Sequence, residues 1–163
     1  VATLQKRDKD LYSDLDARIK KLEPTSVTVE GRSVQIEREE QAAYEAALAQ
    51  FRSSDFRTAV NSLSAFVARY PQSPYAPAAQ FWLGSSYYAI KDYKSAIAAQ
   101  QTLLDRFPDS PRAPDALLNI AASQIELNDK KAARTTLTKI LGDYPDSDAA
   151  KLARDRLAAL GTK

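Results

Sequence analysis

Tyr70-Pro71-Gln72-Ser73-Pro74, Phe107-Pro108-Asp109-Ser110-Pro111 and Tyr144-Pro145-Asp146-Ser147-Asp148 are three versions of one short phrase, and their first prolines stand 37 residues apart. The same step carries Asp55 to Asp92 and Asp129, Ala59 to Ala96 and Ala133, and Ala42 to Ala79, Ala116 and Ala153. Phe51, Tyr88 and Ile125 form one apolar series in phase, and Phe66, Leu103 and Ile140 another. A period between about 20 and 50 residues marks a stack of repeated supersecondary units.

Each unit reads as two helices. Phe81, Leu83, Tyr87, Tyr88 and Ile90 recur at helical spacing in a stretch rich in alanine, the best helix former. Ser73, Ser110 and Ser147 stand where a hydroxyl can accept from exposed first-turn amides. Asp55, Asp92 and Asp129 fall between the helices of a pair, where a carboxylate caps the second helix and suits its positive end. Pro71, Pro108 and Pro145 end each second helix by clashing with its last turn. Helix punctuation accounts for all these residues without a catalytic role.

The pair resembles the tetratricopeptide repeat: Leu83, Gly84, Tyr87, Ala96 and Pro108 fall at that family's Leu-Gly, Tyr, Ala and Pro positions. Small residues recur as Ala47, Gly84, Ala121 and Ala158 in the first helices, and as Ala59, Ala96 and Ala133 in the second. They suit close helix approach. Gln100 departs from the pattern, standing where an aromatic is expected. The resemblance implies an all-α, right-handed superhelix of three helix pairs plus a capping helix, from about residue 39 to 160.

Composition removes most catalytic designs. The 163-residue chain has 23 Lys+Arg against 21 Asp+Glu and no His, Cys or Met. Thiol nucleophiles, His-based triads, His or Cys metal sites and disulfides are excluded, leaving carboxylate, Lys or Tyr as possible bases. No cofactor, metal site or enzymatic activity is expected. No apolar run approaches the roughly 20 residues of a membrane helix. Beginning at Val1-Ala2-Thr3, the chain reads as a processed or truncated product, with a signal peptide expected in the precursor.

Ahead of the repeats, Leu4, Leu11, Leu15 and Leu22 follow a heptad seam with Asp8 at one core position. Residues 1–24 are expected as the end of an oligomerising coiled coil closed by Pro24, and residues 39–163 as a monomeric repeat domain. Lys6, Arg7, Lys9, Lys20 and Lys21 alternate with acidic residues, a poor surface for nucleic acid, which needs unopposed positive charge. Residues 25–38 contain Val27, Val29, Glu30-Gly31-Arg32, Val34 and Ile36. This alternation could form a hairpin, but an isolated hairpin is marginal, so a flexible linker is expected.

The stretch from Asp10-Leu11-Tyr12-Ser13-Asp14-Leu15-Asp16 to Leu22-Glu23, followed by a linker and repeats joined by Tyr-Pro-X-Ser-Pro, resembles the cell division coordinator (CpoB/YbgF) family of the Tol-Pal system. The resemblance implies a periplasmic homotrimer, held by its coiled coil, that binds TolA and a bifunctional peptidoglycan synthase (a penicillin-binding protein). It would keep wall synthesis in step with outer-membrane constriction during cell division. An outer-membrane assembly lipoprotein, which shares this style of repeat, is the alternative.

The partner is expected on the concave face, formed by the first helices. With Gly84 as phase marker, Tyr44, Leu48, Phe51, Phe81, Ser85, Tyr88, Asp115, Leu118, Ala122 and Ile125 face it, flanked by Trp82 and Asn119. Tyr44, Phe81 and Tyr88 are the expected anchors, since large rigid aromatics are typical of binding hot spots. The row carries few charges, so little salt dependence is expected. A chaperone adaptor gripping a C-terminal carboxylate would need more cationic donors than this row offers.

Overall fold

The computed structural model of the chain describes residues 25–29 and 32–161. Among the described residues, two strands, β1 (Thr25–Val29) and β2 (Arg32–Ile36), precede seven helices. These are α1 (Arg38–Arg52), α2 (Phe56–Arg69), α3 (Ala76–Ala89), α4 (Tyr93–Arg106), α5 (Ala113–Glu126), α6 (Lys130–Asp143) and α7 (Asp148–Leu160). The repeat region is thus the expected all-α stack of three pairs and a capping helix. The expected seam of Leu4, Leu11, Leu15 and Leu22 lies outside the described residues.

Residues 25–36 depart from the flexible linker expected there. β1 and β2 pair antiparallel, with Val27 opposite Val34. Val27, Val29, Val34 and Ile36 alternate with polar residues, which gives the segment a strand period.

Periodicity in the sequence becomes periodicity in the turns. After α1, α3 and α5 the chain enters the left-handed region at Ser54, Lys91 and Asn128, with φ of 64°, 65° and 62°. The amides of the following aspartates then reach back to Gln50 O, Tyr87 O and Gln124 O at 2.8–2.9 Å. This is the Schellman closure of a helix, here without glycine. Asp92 and Asp129 also accept from Ser95 N and Ala132 N, capping α4 and α6, whereas Asp55 makes no side-chain cap bond.

Tyr70, Phe107 and Tyr144 close the second helices with ψ near 60°, off the helical region as a residue before proline must be. The serines then divide. Ser147 caps α7 through Ala150 N. Ser73 and Ser110 instead accept from the amides two residues on, Tyr75 and Arg112, one turn before α3 and α5 begin. Pro77 and Pro114 occupy the first turns of those helices, where a missing N–H costs nothing.

Consecutive helices pack along the whole stack, and α1, α3, α5 and α7 also touch in sequence along one side. Ala47, Ala59, Ala96, Ala121 and Ala133 are fully buried at these crossings. Ala158, in phase with Ala121, is exposed, since α7 is the last described helix. Ala42 is exposed at the other end, where no described helix precedes α1. Two apolar clusters result: one holds Tyr44, Leu63, Phe66 and Leu83, the other Leu117, Leu118, Leu137 and Ile140. Within the middle pair, buried Gln80 donates to Ala99 O at 2.9 Å and buried Gln100 to Phe81 O at 3.0 Å. These amides tie α3 to α4 in both directions.

Candidate partner-binding groove

The contact of α3, α5 and α7 leaves an open cleft of about 300 Å³ on the first-helix side. Helix α3 contributes Phe81 and Tyr88, α5 contributes Asp115, Leu118, Asn119 and Ala122, and α7 contributes Arg156. Residues three, four and seven apart share a helix face, which is why these positions converge. Leu118, itself buried, is the apolar floor. Asn119 places a buried Oδ1 with no hydrogen-bond partner beside it.

Charge frames the apolar floor. Arg112, just before α5, lies 5.5 Å from the Phe81 ring centre and 5.2 Å from that of Trp82. A guanidinium at this distance is attracted by the ring faces and holds both aromatics in place. Arg156 reaches across from α7 and donates weakly to Leu118 O at 3.5 Å. The Asp115 carboxyl is raised above its ordinary value by desolvation and by Asp148, against the lowering effect of Arg112. The expectation of little salt dependence rests on a row with few charges, Asp115 among them, and Arg156 adds a further charge to the cleft.

The structure divides the expected row. Phe81, Tyr88, Asp115, Leu118, Asn119 and Ala122 come together in the cleft. Tyr44 does not face it: the ring is only 8% exposed. It stacks on Tyr75 at 4.2 Å and leans on Phe66 at 5.7 Å. Tyr44 therefore packs between the first two units and does not line the cleft. Leu48 and Phe51 are half-buried against the same cluster, Phe51 meeting Phe56 and Trp82. Ser85 and Ile125 are half-buried and lie outside the cleft lining. Trp82 supports Phe81 edge-on at 5.1 Å, with its buried Nε1 unpartnered.

Arg112 and Arg156 were missed by the sequence reading. Arg156 had a signal, since Trp82, Asn119 and Arg156 share the period. Arg112 had none, because it precedes its helix. A further cleft of about 400 Å³ opens between α4, α5 and α6, with Ile97, Leu104, Leu117 and Ile120 among its lining.

Stacked helix pairs with an open cleft on the first-helix side define a tetratricopeptide-type fold. The TPR domain of Arabidopsis OM64 superposes with a TM-score of 0.62 at 15% identity, covering 74% of this chain and 94% of that one. The Yersinia enterocolitica type III secretion chaperone SycD, in complex with a peptide of the translocator YopD, gives 0.61 at 16%, covering 74% and 87%. The yeast Sti1 TPR2B–pHsp70 complex gives 0.61 at 18%, covering 74% and 94%. Such identities speak for the fold alone. Residues 36–163 match YfiO, outer membrane lipoprotein, and the chain belongs to that family. No curated protein matches the sequence.

Proposed function

We propose that the chain is a non-catalytic docking module of the bacterial cell envelope that holds a segment of a partner protein in the α3–α5–α7 groove. The convergence of Phe81, Tyr88, Leu118, Asn119 and Arg156 on one open cleft carries this reading. It offers rigid aromatic area, an apolar floor and a few polar groups to fix orientation, the composition of a recognition groove. The SycD and Sti1 structures, of the same fold, were solved with a peptide and a partner. The family's description as outer membrane lipoprotein supports an envelope setting.

For the partner we propose TolA, with a bifunctional peptidoglycan synthase as a second ligand, in the periplasm. The seam of Leu4, Leu11, Leu15 and Leu22 would gather the chains as trimers. Support comes from the resemblance of residues 10–23 and the joined repeats to the cell division coordinator family. A second reading, an outer-membrane assembly scaffold, is favoured by the family match. That match covers the repeats, which both readings share, and not residues 10–23. A pull-down from envelope extract, comparing the wild-type chain with Phe81→Ala, decides between them. TolA recovered by the wild type and lost with the variant is the expected result. Outer-membrane assembly proteins recovered in its place would select the second reading.

A further inference from the structure

The cleft between α4, α5 and α6 and the α3–α5–α7 groove use opposite faces of α5. Asp115, Leu118 and Ala122 line the groove, whereas Leu117, Ile120 and Gln124 line the cleft. At 3.6 residues per turn those two sets point nearly opposite ways. Leu117 and Ile120, each 4% exposed, form the floor of the cleft, and half-buried Ile97 and Leu104 of α4 form one wall. Repetition explains why this space is open. The last residues of the three second helices are one series in phase, Arg69, Arg106 and Asp143. Arg106 donates to Pro71 O at 3.3 Å and so ties α4 to the joint that follows α2. One unit on, the equivalent pair is Asp143 and Pro108, both at the cleft. A carboxylate has no proton to donate to a carbonyl, and Asp143 pairs instead with Lys139 on its own helix at 3.2 Å. The floor changes with the same step: Gln80, which donates to Ala99 O, is replaced by Leu117. One exchange removes a bridge, and the other makes the base apolar.

We propose that this cleft is a second docking site, for a segment of a partner protein that presents an aliphatic side chain beside an arginine. The rim selects that chemistry. Asp105 on α4 and Asp143 on α6 put exposed carboxylates on facing walls, against the single ammonium of Lys139. The Lys139–Asp143 pair is more than half exposed on both sides, so an incoming cation displaces it at little cost. This acidic lining stands in a chain whose net charge is +2. It disfavours nucleic acid and other phosphates, which bind unopposed positive charge. An aliphatic group fills the space over Leu117 and Ile120, while a guanidinium between the two walls matches the planar geometry of their carboxylates. With one site on each face of α5, two partners can be held at once.

The test is a titration of the full chain with a capped peptide carrying Leu-Arg at its centre, and with the same peptide carrying Leu-Glu. Magnetic resonance follows the methyl signals of Ile97, Leu104, Leu117 and Ile120. Saturable shifts of these methyls are expected with the Leu-Arg peptide, and binding at least about tenfold weaker with Leu-Glu. Asp143→Arg installs the residue that the two earlier units carry, and should abolish the shifts with the helical circular dichroism unchanged. If that variant loses helical signal, Asp105→Asn with Asp143→Asn takes its place and should weaken binding at least about tenfold. Phe81→Ala, in the other groove, should leave the shifts as they are. Absence of saturable shifts, or equal binding of the two peptides, overturns the second site. So does undiminished binding by the folded Asp143 variant. Shifts confined to Leu118, or lost with Phe81→Ala, place the peptide in the α3–α5–α7 groove and also overturn it.

Discussion

Gln100 on α4 fills the space that a side chain on Gly84 of α3 would need: a Cβ built there would stand 2.6 Å from Gln100 Cδ and 2.8 Å from Cγ. At the equivalent positions the flanking units pair Ala47 with Leu63 and Ala121 with Leu137, all fully buried. The glycine and the glutamine form one exchange in two parts. The longer amide needs the missing methyl, and in return it bonds Phe81 O.

The two positions should therefore be coupled. Gly84→Ala alone is expected to cost about 1–3 kcal/mol by overpacking. Adding Gln100→Leu rebuilds the pairing of the neighbouring units and removes a buried, unpartnered Oε1. The double variant should regain most of the loss in urea unfolding, a coupling readable as a double-mutant cycle. Strictly additive effects would contradict the account.

The left-handed turns make a second prediction. Lys91 carries a Cβ at φ 65°, a conformation that costs an ordinary residue about 1 kcal/mol and glycine nothing. Lys91→Gly should raise the thermal midpoint. Next to it, Asp92→Ala and Asp129→Ala should each lower stability by about 1 kcal/mol through loss of a cap. Asp55→Ala should cost less, because Asp55 makes no such bond.

Asp115 gives a pH signature. Its carboxyl is raised above the ordinary 3.8, chiefly by desolvation, so the folded chain holds this proton more tightly than the unfolded chain. The group thus favours folding at acid pH, and that contribution is lost as pH rises through the interval between the ordinary and the raised value. Asp115→Asn should be more stable than wild type at neutral pH, with the advantage vanishing below the ordinary carboxylate range. Thermal melts across pH check it; an advantage that grows on acidification would contradict it.

Tyr44 and Phe81 should separate stability from binding. Tyr44→Ala removes a buried ring stacked on Tyr75 and is expected to cost about 3 kcal/mol. Its effect on partner binding should be no larger than its effect on the folded fraction. Phe81→Ala, at a half-buried ring, should leave the helical signal intact.

Much of the fold was legible because repetition multiplies weak signals. The 37-residue step placed every turn between helices, although Ser54, Lys91 and Asn128 hid their left-handed backbone by not being glycine. The hairpin was visible as alternation, yet alternation does not reveal whether a short ribbon pairs or stays loose. In the groove, phase gathered the α3 and α5 residues that line the cleft but could not say which aromatics another helix already covers. Tyr44 is lost to Tyr75, a residue outside the helical pattern. Arg112 escaped because a long side chain reaches a site from a turn, beyond what periodicity describes.

Calorimetric titration of the full chain with TolA, wild type against Phe81→Ala, tests the central claim most directly. The α3–α5–α7 groove predicts saturable binding by the wild type and at least about tenfold weaker binding by a variant that remains folded. Equal affinity for both chains would contradict it.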